Sequence, residues 1–312
     1  MSLKMTDGQP RLTPAFAAAG VCVSLCAALV VGVALATSAT AAPPSAAASP
    51  ASAATDRGVA MIRDAIAEMR FIDAERLLDQ AAVAGVKDDR MTLLAGELEL
   101  NRHQLKPALA AFDELEARAA TVAPPTLNQA RSDRGITLSL LGRSDDAIRV
   151  LGETVKSDPT LWRAWNALGA EYDARREWDK AEAAYGHAMD ASNGAAIVLN
   201  NRGYSRLMQR RYDASAADFV SALNQRPDFP EARANLRLVL AMKGDFSRAT
   251  QGGSDQDQAT LLNNAGFAAA MQGDYARAEE LLNRAMKLRS TYFEKAGENL
   301  KVVSALAGKD PK

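Results

Sequence analysis

The sequence predicts an all-α protein made of repeated helical pairs, and three observations lead to this prediction. Residues that favour helices dominate the composition, and 5% of the chain is aromatic. Long runs of alternating Val, Ile and Thr, which would indicate strands, are missing. Gly135, Gly169 and Gly203 lie 34 residues apart, and Gly96 and Gly266 occupy equivalent places in the pattern. A period of this length is typical of stacked helical repeats.

The first 41 residues have the pattern of an export signal. Lys4 and Arg11 precede an apolar run over residues 15–42, and Ala39-Thr40-Ala41 supplies the small residues of a cleavage site. We expect residues 1–41 to be a signal peptide, cleaved after Ala41. The run is longer than many signal sequences, so an uncleaved signal anchor is the alternative. The first case predicts a periplasmic or exported protein, and the second an inner-membrane anchor with a periplasmic domain.

The two cysteines, Cys22 and Cys26, both lie in this leader. A chain without the leader has no cysteine, which excludes disulfides, thiol catalysis and cysteine-bound zinc. Residues 42–56 are rich in Pro, Ala and Ser and contain too few large apolar side chains to fold, so they predict a flexible or extended tether. We expect the repeats to occupy residues 57–307.

The clearest repeat, residues 162–195, shows the whole pattern. Trp165, Leu168, Gly169 and Tyr172 recur at helical spacing, and Ala181 follows on a second helix. This pattern resembles the tetratricopeptide repeat (TPR) family. The resemblance implies a right-handed superhelical TPR solenoid of about seven helix-turn-helix repeats, closed by a C-terminal capping helix. The copies in chain order are 55–88, 89–122, 128–161, 162–195, 196–229, a truncated copy at 230–258, and 259–292, followed by a cap at 293–307.

The small residues of the repeats predict helix contacts rather than chemistry. Glycine or alanine is expected where the two helices of a pair cross, because larger side chains would separate them. A second set of glycines is expected to end first helices in the left-handed conformation. The crossing residues are Gly135, Gly169, Gly203, Gly266, Ala181 and Ala278, and the turn residues are Gly142, Gly244 and Gly273.

No arrangement of residues predicts catalysis, a metal site or a cofactor. His103 and His187 lack the partner spacing of a metalloprotease helix, and the sequence has no phosphate loop, calcium loop or nucleophile elbow. A net charge of −1 gives no reason to expect nucleic acid as a partner. We therefore expect a protein without enzymatic activity, which contacts the membrane only if the N-terminal anchor is retained.

Asparagines on the first helices are the candidate binding residues. The resemblance to TPR proteins implies that first helices line the inner, concave wall of the solenoid. Some members of that family clamp the backbone of an extended peptide with an asparagine ladder. An amide suits this role because it offers both donor and acceptor, although the same amides can equally be satisfied within their own repeats. Tyr204 and Phe267 are expected to face the same groove. The asparagines are Asn166, Asn200, Asn201, Asn235, Asn263 and Asn264.

Three arginines lie four residues apart on one first helix. Arg202 is expected to pair with Asp218 on the following helix, whereas Arg206 and Arg210 are more open to a ligand.

These features predict a protein-protein interaction scaffold in the bacterial cell envelope that binds a peptide or protein segment in the concave groove. The combination of leader, tether and repeats resembles TPR proteins of tight-adherence (Flp-type) pilus assembly, although Val21 and Leu25 before the two cysteines argue against the lipid attachment usual there. One alternative is a factor that holds apocytochrome during cytochrome c maturation. Another is a regulatory or targeting subunit of an envelope hydrolase. The sequence leaves the partner and the oligomeric state open.

Overall fold

The computed structural model describes residues 50–252, 255–288 and 294–308. These residues form fifteen helices and no strand, which confirms the all-α prediction. The helices are α1 (Pro50–Ala67), α2 (Phe71–Val83), α3 (Asp89–Asn101), α4 (Leu105–Ala117), α5 (Pro124–Leu140), α6 (Ser144–Ser157), α7 (Trp162–Ala174), α8 (Trp178–Ser192), α9 (Ala196–Met208), α10 (Tyr212–Gln225), α11 (Pro230–Met242), α12 (Phe246–Ala249), α13 (Asp255–Met271), α14 (Tyr275–Lys287) and α15 (Glu294–Leu306).

The described residues divide into two compact units, and the division falls within α9. The N-terminal unit comprises residues 50–201 and the C-terminal unit residues 202–308. In each unit, helices that follow one another in the chain pack as pairs joined by short turns. Phe112 and Leu151 are fully buried between such helices in the N-terminal unit, as are Phe219 and Leu282 in the C-terminal unit. Each unit therefore has its own apolar core.

The crossing glycines lie against a large buried side chain sixteen residues later, on the second helix of the same pair. A Cβ atom at these glycines would lie between 2.5 and 2.9 Å from that side chain, which is closer than packed carbon atoms approach. The glycines therefore allow the close contact of the two helices. The pairs are Gly96 with Phe112, Gly135 with Leu151, Gly169 with Tyr185, Gly203 with Phe219, and Gly266 with Leu282.

The turn glycines end first helices as predicted. Gly142, Gly244 and Gly273 have φ angles of +74°, +81° and +80°, in the left-handed region. Four other first helices end at a non-glycine residue in the same region, with φ angles between +57° and +60°: Met69, His103, Arg176 and Arg210. A side chain with a Cβ is strained in this conformation, whereas glycine is not.

Arg176→Gly is therefore expected to raise the free energy of unfolding by up to about 1 kcal/mol, because Arg176 is exposed and the substitution removes backbone strain. The reverse change, Gly142→Ala, should lower it by a similar amount, since an added Cβ there meets nothing within 4 Å and only the backbone strain changes. Urea unfolding of both variants checks the pair. Equal stability of the two variants would contradict it.

The predicted tether differs in part from the structure. Residues 50–56 belong to α1, which begins at Pro50 and extends through them, rather than to an extended segment. Proline is well suited to the first turn of a helix and alanine has the highest helix propensity, which explains why this composition continues the helix. Asp56 is further held by an ion pair with Arg90 at 2.8 Å. Residues 42–49 of the tether and the predicted leader, 1–41, lie outside the described residues.

Within the described ranges, no helix is both long enough and apolar enough to cross a membrane.

One helical pair of the C-terminal unit has an incomplete second member. α12 is a single turn of four residues, and α13 already begins at Asp255. The second helices α10 and α14 have 14 and 13 residues. The place beside α11 that a full second helix would occupy is therefore not filled by α12.

Candidate peptide-binding site

In the N-terminal unit, the predicted asparagines lie on α7 and α9 and bind one another. The Nδ2 of Asn201 donates to the Oδ1 of Asn166 at 3.1 Å, and the Nδ2 of Asn200 is 3.3 Å from the Oδ1 of Asn201. All three side chains are buried, with at most 7% of each residue exposed. Amides from two successive first helices thus form one hydrogen-bonded row.

A similar row in the C-terminal unit lies on α13 and α15. Asn299 donates its Nδ2 to the Oδ1 of Asn263 at 2.9 Å, and the Nδ2 of Asn263 is 3.3 Å from the Oδ1 of Asn264. Asn299 was not among the predicted residues. It lies in the predicted cap, and its position 36 residues after Asn263 extends the repeat spacing beyond the last recognised copy.

The remaining predicted groove residues, Asn235, Tyr204 and Phe267, are half-buried. Each has a further interaction within the chain, so none of them is free of partners. They lie on α11, α9 and α13, which are first helices of the C-terminal unit.

The two asparagine rows are held by hydrogen bonds within the chain, and Asn200 has a further interaction. An asparagine amide has two N–H donors and an oxygen with two lone pairs, so a single bond to a neighbour leaves part of this capacity open. To bind a peptide, these largely buried side chains would have to use their remaining donors and acceptors or exchange their present partners for the peptide. The peptide clamp therefore stays a prediction, and the observed bonds link adjacent repeats.

A buried acidic pair on α3 and α5 was not anticipated from the sequence. Glu97 and Asp133 are 3% and 0% exposed, and their carboxyl groups interact with each other. The Nη1 of Arg163, on α7, lies 3.4 Å from the Oδ1 of Asp133, and the Nε2 of Gln129 donates to its Oδ2 at 2.8 Å. Glu97 Oε2 and Asp133 Oδ1 accept no well-formed hydrogen bond from the described residues. The Nη2 of Arg163 is a buried donor that likewise has no partner among the described residues, and a proton on Glu97 supplies a donor between the two carboxyl groups themselves.

The electrostatics favour that proton. Burial, reinforced by the Asp133 carboxylate, raises the pKa of Glu97 from 4.5 to about 8, although Arg163 and Arg63 oppose the shift. Burial also raises the pKa of Asp133, against the opposing effects of Arg163 and Gln129. The pair therefore retains a proton near neutral pH, and its two groups titrate together.

Two of the three arginines predicted on and after α9 form ion pairs within the chain. The Nε and Nη2 of Arg202 bind the two carboxylate oxygens of Asp218 at 3.0 and 2.7 Å, which confirms the predicted ion pair. The Nη1 of Arg206 also donates to Asp218, at 2.8 Å, and its side chain is 15% exposed. Arg206 is thus part of the same network, whereas Arg210 is exposed in the left-handed turn after α9, with a φ of +60°.

The two histidines lie in positions that packing and turn geometry explain. His187 stacks on Trp165, with the ring centres 4.4 Å apart. His103 lies in the left-handed turn after α3. In the part of the chain that the structure describes, no three His, Cys, Asp or Glu side chains are placed to hold a metal ion.

Comparison with known proteins identifies similar folds only among solved structures. Neither a protein-family profile nor a curated protein matches the chain. A tetratricopeptide repeat protein from Parabacteroides merdae ATCC 43184 is 15% identical, with a TM-score of 0.49 over 80% of this chain and 98% of that one. TTC0263, a thermophilic TPR protein of Thermus thermophilus, is 20% identical, with a TM-score of 0.49 over 59% and 98% of the two chains. PilW, a type IV pilus biogenesis factor, is 17% identical, with a TM-score of 0.45 over 58% and 86%.

At these identities the likeness is one of fold. The assignment rests on the chain's own helical pairs, left-handed turns and repeated glycine contact. Each unit is built from helix-turn-helix repeats of the tetratricopeptide type.

Proposed function

We propose that this protein is a non-catalytic scaffold of the bacterial cell envelope that binds an extended peptide or protein segment along its first helices. The repeated asparagine carries the proposal, because amides at the same repeat position can hold a peptide backbone without reading its side chains. The predicted leader, residues 1–41, supports the envelope location. The resemblance of leader, tether and repeats to TPR proteins of tight-adherence pilus assembly supports a pilus or secretion subunit as the partner.

Binding through the amides is tested by crosslinking in cells followed by recovery of the full chain from the envelope. Changing Asn201, Asn235 and Asn264 together to alanine is expected to reduce recovery of the crosslinked partner about tenfold or more, since each lost amide removes hydrogen bonds worth about 0.5–1.5 kcal/mol. Mass spectrometry of the partner band shows whether it is a pilus component.

The matched control changes Asn224 and Asn283, which are exposed asparagines on the second helices α10 and α14. This variant should recover the partner at the level of the unmodified protein. Circular dichroism melts of both variants show that the comparison is between folded proteins. Full recovery by the folded triple variant would overturn binding through the amides.

A further inference from the structure

The incomplete repeat of the C-terminal unit leaves a cleft between α11 and α13. The cleft has a volume of about 600 Å³. Its walls include Leu238 on α11 and Leu261 and Ala265 on α13, and Ala249 of the single-turn α12 closes one side. In a complete repeat, a second helix of 13 or 14 residues packs against the first helix at this place. The cleft is therefore the space of a missing helix.

An arginine occupies the glycine position of this repeat. Arg237 comes 34 residues after Gly203, at the position where five of the other six copies have glycine and the first copy has Ile62. Each crossing glycine makes room for a side chain sixteen residues later, but α12 ends at Ala249, only twelve residues after Arg237. Because no second helix covers α11 here, a long cationic side chain is accommodated, and it lines the cleft.

The cleft presents two positive charges one helical turn apart on α11. Arg237 donates its Nη2 to the backbone oxygen of Gln251 at 3.2 Å, and Arg233 donates to the backbone oxygen of Pro227. In the described part of the chain, neither guanidinium is paired with a carboxylate, in contrast to Arg202 and Arg206. Asp257, the acidic residue of the lining, has an interaction of its own within the chain.

We propose that this cleft binds an amphipathic, acidic helix of a partner protein, which takes the place of the second helix that the repeat lacks. The apolar walls accept the small and aliphatic face of such a helix, as in other helix-in-groove complexes. A carboxylate on the same face pairs with Arg237, at the position where a complete repeat has a large apolar side chain opposite glycine. This site goes beyond the proposed binding by asparagine amides. It depends on Arg237 and the apolar walls, and the two sites share only Asn264, which also lines the cleft.

The probe that tests the cleft is a fluorescein-labelled peptide with the sequence of α10, YDASAADFVSALNQ, carrying Phe219→Glu. In α10 this position faces Gly203, so in the cleft the glutamate would face Arg237. We expect saturable binding to the full chain with a dissociation constant below about 100 µM, within the range of weak, specific complexes. The same peptide carrying Phe219→Lys should bind about tenfold or more weakly, because its charge repels Arg237.

Reciprocal variants of the protein separate this site from non-specific attraction. Arg237→Glu should lose the glutamate peptide and bind the lysine peptide, whereas Arg237→Gly should favour the unmodified α10 peptide, because it restores the glycine contact. Arg284→Glu, which reverses an exposed charge on α14 outside the cleft, is the matched control and should leave binding unchanged.

Three outcomes would overturn the proposal. One is the absence of binding by the glutamate peptide up to about 1 mM, far above the weak-complex range. Another is equal loss of binding in Arg237→Glu and Arg284→Glu. The third is a dimer in sedimentation analysis that the glutamate peptide dissociates, which would make a second copy of the chain the occupant of the cleft. Asn201→Ala should leave peptide binding intact, so failure of the asparagine site and failure of the cleft are distinguishable.

Discussion

Glu97→Gln is expected to remove most of the fall in stability that the unmodified protein shows as the pH rises from about 5 to about 8. The folded protein holds a proton on Glu97 up to a pKa of about 8, whereas the unfolded chain releases it near 4.5. Between these values the folded state binds more protons, so the free energy of unfolding decreases with pH, by up to about 1.4 kcal/mol per pH unit. Above the pKa of the folded state, this loss of stability is complete. Below the pKa of the unfolded chain, the protein shows no such loss.

Glutamine keeps the size of Glu97 and supplies a permanent N–H donor toward Asp133. The variant should therefore show a smaller fall in stability over this range than the unmodified protein, with the remainder due to Asp133, and should exceed the unmodified protein at about pH 8. Urea unfolding at four or five pH values measures both profiles. Glu153→Gln, at an exposed glutamate with 68% of its side chain accessible, is the control and should follow the unmodified profile. A flat profile for the unmodified protein would show that Glu97 is ionised in the fold.

Gly169→Leu is expected to lower the free energy of unfolding by about 1–3 kcal/mol or more, through overpacking of the α7–α8 contact. A Cβ atom at this position would already lie 2.8 Å from the Tyr185 ring. The ring cannot easily yield, because Tyr185 is 1% exposed and its hydroxyl donates to Asp173 at 2.9 Å. Thermal and urea unfolding measure the loss, and an unchanged melting temperature would contradict the assigned contact.

Glycines at open positions of second helices provide the matched control. A Cβ atom added at Gly152 on α6 or at Gly186 on α8 would have no other atom within 4 Å, so alanine there meets no obstacle. Gly152→Ala and Gly186→Ala should each raise the free energy of unfolding, by up to about 1 kcal/mol, because alanine has the higher helix propensity. The same residue type thus has opposite effects at the two kinds of position.

The repeat contacts could be predicted from the sequence because they are local. Gly169 and Tyr185 lie sixteen residues apart within a single helical pair, so a fixed spacing fixes their contact. The left-handed turn at Gly142 likewise depends on one residue and its neighbours. The helical start of the tether was missed because Pro50 and the alanines after it fit both an extended spacer and a helix.

The contacts between repeats were harder to predict. Asn166 and Asn201 lie on the first helices that the sequence predicts for them. The sequence does not determine which of their amide atoms form a hydrogen bond across 35 residues. Glu97 and Asp133 are 36 residues apart, and the insertion around Pro124 disturbs the spacing between their copies. Their meeting depends on how α3 and α5 pack, and no local pattern records it. Asn299 was missed because its helix had been interpreted only as a cap.

The single turn of α12 also bears on how the C-terminal unit unfolds. In a linear array, cooperativity passes from each repeat to the next only through the contacts between neighbours. Ala241 of α11 and Ala249 of α12 share a buried cluster with α13, but no long second helix adds to this junction. The coupling is therefore weakest in the interior of the unit, so α13 to α15 can open as a separate folding unit while α10 and α11 stay formed.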